Sequence, residues 1–281
     1  MSYTTLIDAA TLKGHLNDPE WRIIDVRHQL ANTAYGEQAY GAGHIPGAAF
    51  LHCDRDLSGP MTGKNGRHPL PGPEKLAARL GAIGVGPQTQ VVVYDDAQGM
   101  IAGRLWWLLR WLGHDRVALL DGGLAAWLAA GGTLSSALPP NRPAQFVAQL
   151  RDTRVDADYV QSFLATSRLH LIDARSPDRF RGENETIDPV GGHIPGAVNR
   201  FFQHNLQADG RFKPAAELRA EWLAILAGQS PELVVHQCGS GVSACHNILA
   251  MEIAGLTGSR LYAGSWSEWC ADPARPVVQG A

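Results

Sequence analysis

The chain has 281 residues, 45% of them hydrophobic and 18% charged, with a formal net charge of -3. That composition calls for one large or two ordinary packed domains and excludes a disordered chain. The charge balance leaves no basic footprint for nucleic acid and no polybasic patch for a membrane surface, so small molecules or proteins are the partners to expect.

The opening "MSYTTLIDAATLKGHL" lacks the charged flank and continuous apolar stretch of a signal peptide. No run approaches the roughly 20 apolar residues of a membrane span, and the expectation is a soluble, cytoplasmic protein. Short apolar runs bounded by turn residues predict strands over 22–26, 90–94 and 117–120, with helices over 73–80 and 100–111 between them. Trp106, Trp107 and Trp111 lie at helical spacing in the second of these helices and read as packing residues. "SSALPPNRPAQF" (135–146), with three prolines, reads as a linker. Beyond it the pattern resumes, with strands over 169–173, 233–237 and 260–262 and helices over 214–226 and 243–254. Such alternation predicts an α/β fold with parallel sheets flanked by helices, whose ligands bind at the carboxyl ends of strands.

The two stretches repeat one another. "IIDVR" (23–27) is followed by "GHIPGA" (43–48), and "LIDAR" (171–175) by a second "GHIPGA" (192–197), with Asp25 and Asp173 148 residues apart. "VVVYDDAQG" (91–99) and "LVVHQCGSG" (233–241) match at an offset of 142, which sets Asp96 opposite Cys238. A tandem duplication is therefore expected, with an N-terminal domain over 1–138, a linker over 139–150 and a C-terminal domain over 151–281.

"HQCGSGVSACHN" (236–247) places a cysteine where a predicted strand leaves the sheet and a helix begins. Glycines at 239 and 241 free the backbone to turn successive N–H groups toward one point, at a helix start that also favours negative charge. The loop suits a cysteine that carries a second, negatively charged sulfur. The four cysteines, with no secretory signal, do not read as a disulfide framework. Cys245, about two turns along the same expected helix, and Cys270 read as small buried hydrophobes. His44 and His193 of the "GHIPG" turns read as structural. "HCDRD" around His52 and Cys53 has no second cluster at structural-zinc spacing, so no metal is predicted.

The doubled "GHIPGA", the cysteine loop and "GSWSEW" (264–269) resemble, over essentially the whole chain, the two-domain rhodanese-type sulfurtransferases. The resemblance implies a non-catalytic N-terminal copy and a C-terminal copy carrying Cys238 as nucleophile. "CGSGVSA" is similar to the "CGSGVTA" of the mercaptopyruvate branch, whereas thiosulfate enzymes commonly carry Arg and Lys directly after the cysteine. It implies Ser240, His68 in "GRHPLPGPE" and Asp54 in "FLHCDRDLSGP" as a proton relay. The loop residues Gly239, Gly241, Val242 and Ser243 then hold the sulfur, and Arg179 in "DRFRG" binds the donor carboxylate. Where that branch carries a second arginine, this chain has Thr186 in "ENETIDPVG".

The function so implied moves a sulfane sulfur from 3-mercaptopyruvate, through a persulfide on Cys238, to a thiol, thioredoxin or cyanide, with no organic cofactor. Thiosulfate is the alternative donor, and a sulfur-relay protein a more distant alternative. A cysteine phosphatase needs Cys-x5-Arg to hold a doubly charged phosphoryl group, and Ala244 stands at that position.

Overall fold

The computed structural model describes residues 2–140, 142–164, 166 and 168–280. It divides into two compact units, one made of Met1–Gly59, Pro71–Asp152 and Ala208–Arg211, the other of Pro60–Leu70, Thr153–Gln207 and Phe212–Ala281.

In the first unit the strands are β1 (Leu6–Ile7), β2 (Trp21–Asp25), β3 (Ala49–Phe50), β4 (Gln90–Tyr94) and β5 (Val117–Leu120). They form one parallel sheet in the order β1-β5-β4-β2-β3. The second unit holds β6 (Arg154–Val155), β7 (His170–Asp173), β8 (Val198–Asn199), β9 (Val234–Gln237) and β10 (Arg260–Tyr262), ordered β6-β10-β9-β7-β8 and again parallel. Each central strand, β4 or β9, is buried along its whole length, as a strand covered by helices on both faces must be. The α/β duplication expected from the repeats is the fold observed.

Helices start where the chain can cap them. Asp8 accepts from Thr11 N–H at 2.7 Å to open Ala9–Gly14, and Asp156, 148 residues on, accepts from Tyr159 N–H at 2.8 Å to open Ala157–Phe163. The Asp-x-Arg of each repeat forms a buried clasp. Arg27 Nη2 reaches Asp25 Oδ2 and the carbonyl of Gly43, both at 2.7 Å; Arg175 reaches Asp173 and Gly192 at the same distances. The motif thus ties β2 or β7 to the "GHIPG" turn. In that turn His44 stacks on Tyr40 and His193 on Phe180, with ring centroids 3.9 and 3.7 Å apart, so both histidines pack and hydrogen-bond within the fold. Trp106, Trp107 and Trp111 are buried in the helix Ala102–Trp111.

The proline-rich stretch is better anchored than a free linker. Ala144 N–H donates to Gly81, Gln149 to Leu112 and Arg151 to Trp111, so residues up to Asp152 follow the surface of the first unit. Among the described residues no helix is long and apolar enough to cross a membrane.

Candidate active site

β9 is the middle strand of its sheet, and Cys238 is the first residue past its carboxyl end. The next helix, Ala244–Ile253, begins only at Ala244. Residues 238–243 are therefore an open loop, and Cys245 stands in the helix's first turn with its Sγ donating to the Gly241 carbonyl at 3.4 Å. The expectation that Cys245 lies two turns along the helix is corrected accordingly, because the glycines hold the loop out of the helical region.

Gly241 has φ +75°, and a Cβ there would stand 2.3 Å from the Ala263 carbonyl oxygen, so both conformation and space require glycine. From below, Ser265 holds the loop: Cys238 N–H donates to its Oγ at 3.1 Å, and that hydroxyl donates to the Tyr262 carbonyl at 2.9 Å. Ser265 itself has φ +56°, a backbone conformation rare for a residue with a side chain. Trp266 and Ser267 N–H groups donate to the carbonyls of Cys238 and Gly239 at 3.0 and 2.9 Å. With those carbonyls occupied, the N–H groups of the turn are left for a ligand. Among the described residues those of Gly239, Ser240, Val242, Ser243 and Ala244 have no protein acceptor. Buried donors without acceptors are costly, and a cluster of them around one sulfur is a cradle for negative charge.

Seven of the residues singled out from the sequence meet here: Cys238, Gly239, Ser240, Gly241, Val242 and Ser243 in the loop, and His68, whose Nδ1 is 2.7 Å from Ser240 Oγ with both side chains buried. Residues 60–70 belong to this second unit although they precede most of the first. Arg179 joins them from the helix Pro177–Arg181: a Cβ on Gly239 would lie 3.6 Å from each of its terminal nitrogens. Asp54 belongs to the first unit, half-exposed, with its carboxylate 3.7 Å from His28 Nε2 and 4.0 Å from His52 Nδ1.

Several residues of the site were not anticipated. Glu185 binds Arg179 through two contacts of 3.0 Å, and Asp188 meets it at 3.2 Å. Burial opposes ionisation of Glu185, yet the N–H groups of Asp188 and Ile187 and the Arg179 guanidinium hold its carboxyl below the ordinary range. Burial pushes the Asp188 carboxyl up, against the pull of Arg67, with which it pairs. Arg175 stacks 4.6 Å over the Trp266 ring and keeps its positive charge through Asp173, against the cost of burial. The "ENETIDPVG" stretch in which a second arginine was sought supplies these acids instead. All four cysteines are free. Burial pushes the Cys53 thiol up to about 12 and the Cys270 thiol up to about 11.

A family model described as the rhodanese-like domain matches twice, over residues 8–130 and 156–272. A probable 3-mercaptopyruvate sulfurtransferase of Pseudomonas aeruginosa is 49% identical over 283 residues, covering 100% of both chains. A putative thiosulfate sulfurtransferase, SseB, of Mycobacterium tuberculosis is 38% identical, over 98% of this chain and 97% of its own. Among solved structures, SseA from Escherichia coli, described as a 3-mercaptopyruvate sulfotransferase, superposes with a TM-score of 0.81 at 32% identity, over 94% of this chain and 99% of its own. Two matched domains, a full-length relative and the cysteine loop at the end of the central strand agree: this chain belongs to the rhodanese-like family, as a tandem pair of its domains.

Proposed function

We propose that the protein is a sulfurtransferase that takes sulfur from 3-mercaptopyruvate through a persulfide on Cys238. The observation that carries this reading is the His68–Ser240 hydrogen bond beside the nucleophile. Cys238 thiolate attacks the donor sulfur, the donor's carbon–sulfur bond breaks, and its electron pair leaves on carbon as the pyruvate enolate. The proton of the donor thiol must then reach that carbon, giving pyruvate and a deprotonated persulfide. A histidine sharing a proton with a serine two residues from the nucleophile supplies such a path. Sulfite leaving from thiosulfate needs no such proton.

The free N–H groups of the loop stabilise the persulfide charge, and Arg179 orients the carboxylate through Nη1, the nitrogen that Glu185 and Asp188 do not take. In the second half-reaction an acceptor attacks the outer sulfur and Cys238 leaves as thiolate. Thioredoxin, another thiol or cyanide fits that role. The relatives named for mercaptopyruvate support the donor; those named for thiosulfate keep it as the competing outcome.

Parallel steady-state kinetics with mercaptopyruvate and thiosulfate, each with cyanide and with a dithiol, test the donor; a higher kcat/KM for thiosulfate overturns it. Donor treatment followed by mass spectrometry should add about 32 Da, one sulfur, to the Cys238 peptide and nothing to Cys238→Ser. Sulfur found on Cys53, Cys245 or Cys270 would refute the nucleophile.

A further inference from the structure

We propose that the first unit carries a binding site of its own, for an aromatic molecule bearing a phosphate or carboxylate group, in a groove beside the edge strand β3. The groove has a volume of about 810 Å³ and is lined by residues of the first unit alone. That is the size of a small-molecule site, which runs to roughly 300–1,000 Å³. Its walls are aromatic and apolar. Trp21 at the start of β2 and Phe50 at the end of β3 line it, both half-buried, together with Tyr40, whose ring centroid lies 5.4 Å from that of Phe50. Trp21 is held in place by stacking on His15, with ring centroids 3.9 Å apart. Leu138 of the proline-rich stretch also lines the groove and is left 79% exposed.

The charge of the groove is one-sided. Both of its acids are engaged: Glu37 pairs with Arg55 at 2.8 Å, and Asp18 meets His15 Nδ1 at 3.2 Å and accepts from Glu20 N–H at 3.0 Å. Of its three arginines, Arg79 pairs with Asp56 at 3.2 Å, whereas among the described residues Arg22 and Arg142 meet no carboxylate. Arg22 is fixed through Nη1, which donates to the carbonyls of Pro19 and Trp21 at 3.1 and 2.7 Å. Its Nε and Nη2 have no protein acceptor among the described residues. Arg142 stands beside it, since a Cβ on Gly84 would lie 2.5 Å from both Arg22 Nε and the Arg142 carbonyl oxygen. Burial, and then the Arg142 charge, push the pKa of the Arg22 guanidinium down from its ordinary value. Two cations that repel one another with no acid between them are stabilised by an anion that takes donors from both, and the guanidinium fork matches phosphate and carboxylate.

The second unit has a corresponding groove beside its own "GHIPG" turn, about 590 Å³ in volume, without these features. There Asn199 takes the place of Phe50, each paired with the last residue of the neighbouring strand, Asp173 or Asp25. The Asn199 amide donates to the carbonyls of Asp173 and Arg175. The arginine of that groove, Arg181, is bound by Glu183 at 2.8 and 2.7 Å. The aromatic wall and the unpaired cations are therefore not demands of the shared fold.

The Trp21 indole N–H resonance, assigned by its loss in Trp21→Phe, reads the groove in isotope-labelled protein. Titration with 1-naphthyl phosphate or 1-naphthoate should shift it saturably, and the tighter of the two identifies the preferred anionic group. Affinity should fall roughly tenfold or more in Arg22→Gln and in Arg142→Gln, and neutral 1-naphthol and inorganic phosphate should each bind the wild type roughly tenfold more weakly. Arg142→Gln removes an exposed side chain, so its unfolding midpoint should match that of the wild type and its effect should fall on the ligand alone. No saturable shift, equal affinity for naphthol or for inorganic phosphate, or an affinity indifferent to both arginines overturns the proposal. An affinity lost in Arg179→Ala instead would place the probe at the cysteine loop and overturn it as well.

Discussion

At the scale of the residue, the site depends on which polar atoms are occupied and which are spare. Cys238 and its loop were legible in the sequence because a glycine-rich turn after an apolar run has few other uses. Arg67 was not, because its place beside the loop is one that only the fold creates: it is 172 residues from Gly239 in the chain, yet a Cβ on that glycine would stand 2.9 Å from its Nη2. For the same reason the charge around the loop cannot be read from the loop's own residues. The loop itself carries no cation, yet two arginines and two buried acids stand against it. Arg179 is held from behind by Glu185, so its truncation leaves a buried carboxylate with one partner fewer as well as a donor unbound. Arg179→Ala should therefore raise KM for mercaptopyruvate at least tenfold and also lower the unfolding midpoint. Glu185→Gln in the same background should restore the midpoint without restoring KM. A KM that returns with the midpoint would mean that Arg179 serves the fold and not the donor.

Elements differ in how well a sequence announces them. The central strands were recognised from unbroken apolar runs, and the helices Pro73–Ala82, Ala102–Trp111, Ala215–Leu226 and Ala244–Ile253 from their length. The edge strands β1, β3, β6 and β8 are two residues each, too short for any periodicity, and exist because a neighbouring strand offers its free edge. β9 has a property of its own. His236 is buried in it, against Trp222 at 5.6 Å and with Nε2 3.2 Å from Met251 Sδ. Burial, helped by His170, lowers its pKa from 6.5 to about 3. Between those values the unfolded chain binds a proton that the native state refuses, so stability present above 6.5 is lost as pH falls toward 3. The strand that positions Cys238 should thus be acid-sensitive. Urea unfolding midpoints should fall across that window in the wild type and less in His236→Leu, and parallel pH profiles would contradict the assignment.

In the whole molecule the duplication has produced one loop with open amides and one without. The first copy has Asp95 at the end of β4, in the position matched by Gln237, and its buried carboxylate accepts the N–H groups of Ala97, Gly99, Ile101 and Ala102 at 2.8–2.9 Å. Burial pushes that carboxyl's pKa up, while the same four amides pull it down. At the matching positions of the second copy the amides of Gly239, Ser243 and Ala244 have no acceptor among the described residues. Asp96 opposite Cys238 is thus only one of two differences that separate the copies. The first loop has become self-sealed: its anion is covalently part of the chain, at an effective concentration no diffusing donor can match. Asp96→Cys alone should then accept no sulfur, since a persulfide formed there would face amides already committed. Asp95→Gln with Asp96→Cys frees them, and a gain of about 32 Da at position 96 in the double variant only is the expected result on mass spectrometry, read in a Cys238→Ser background. A loop sealed in this way is not opened one substitution at a time, because a cysteine at position 96 gains nothing until the Asp95 carboxylate has gone, and the carboxylate cannot go without leaving four buried donors unmet.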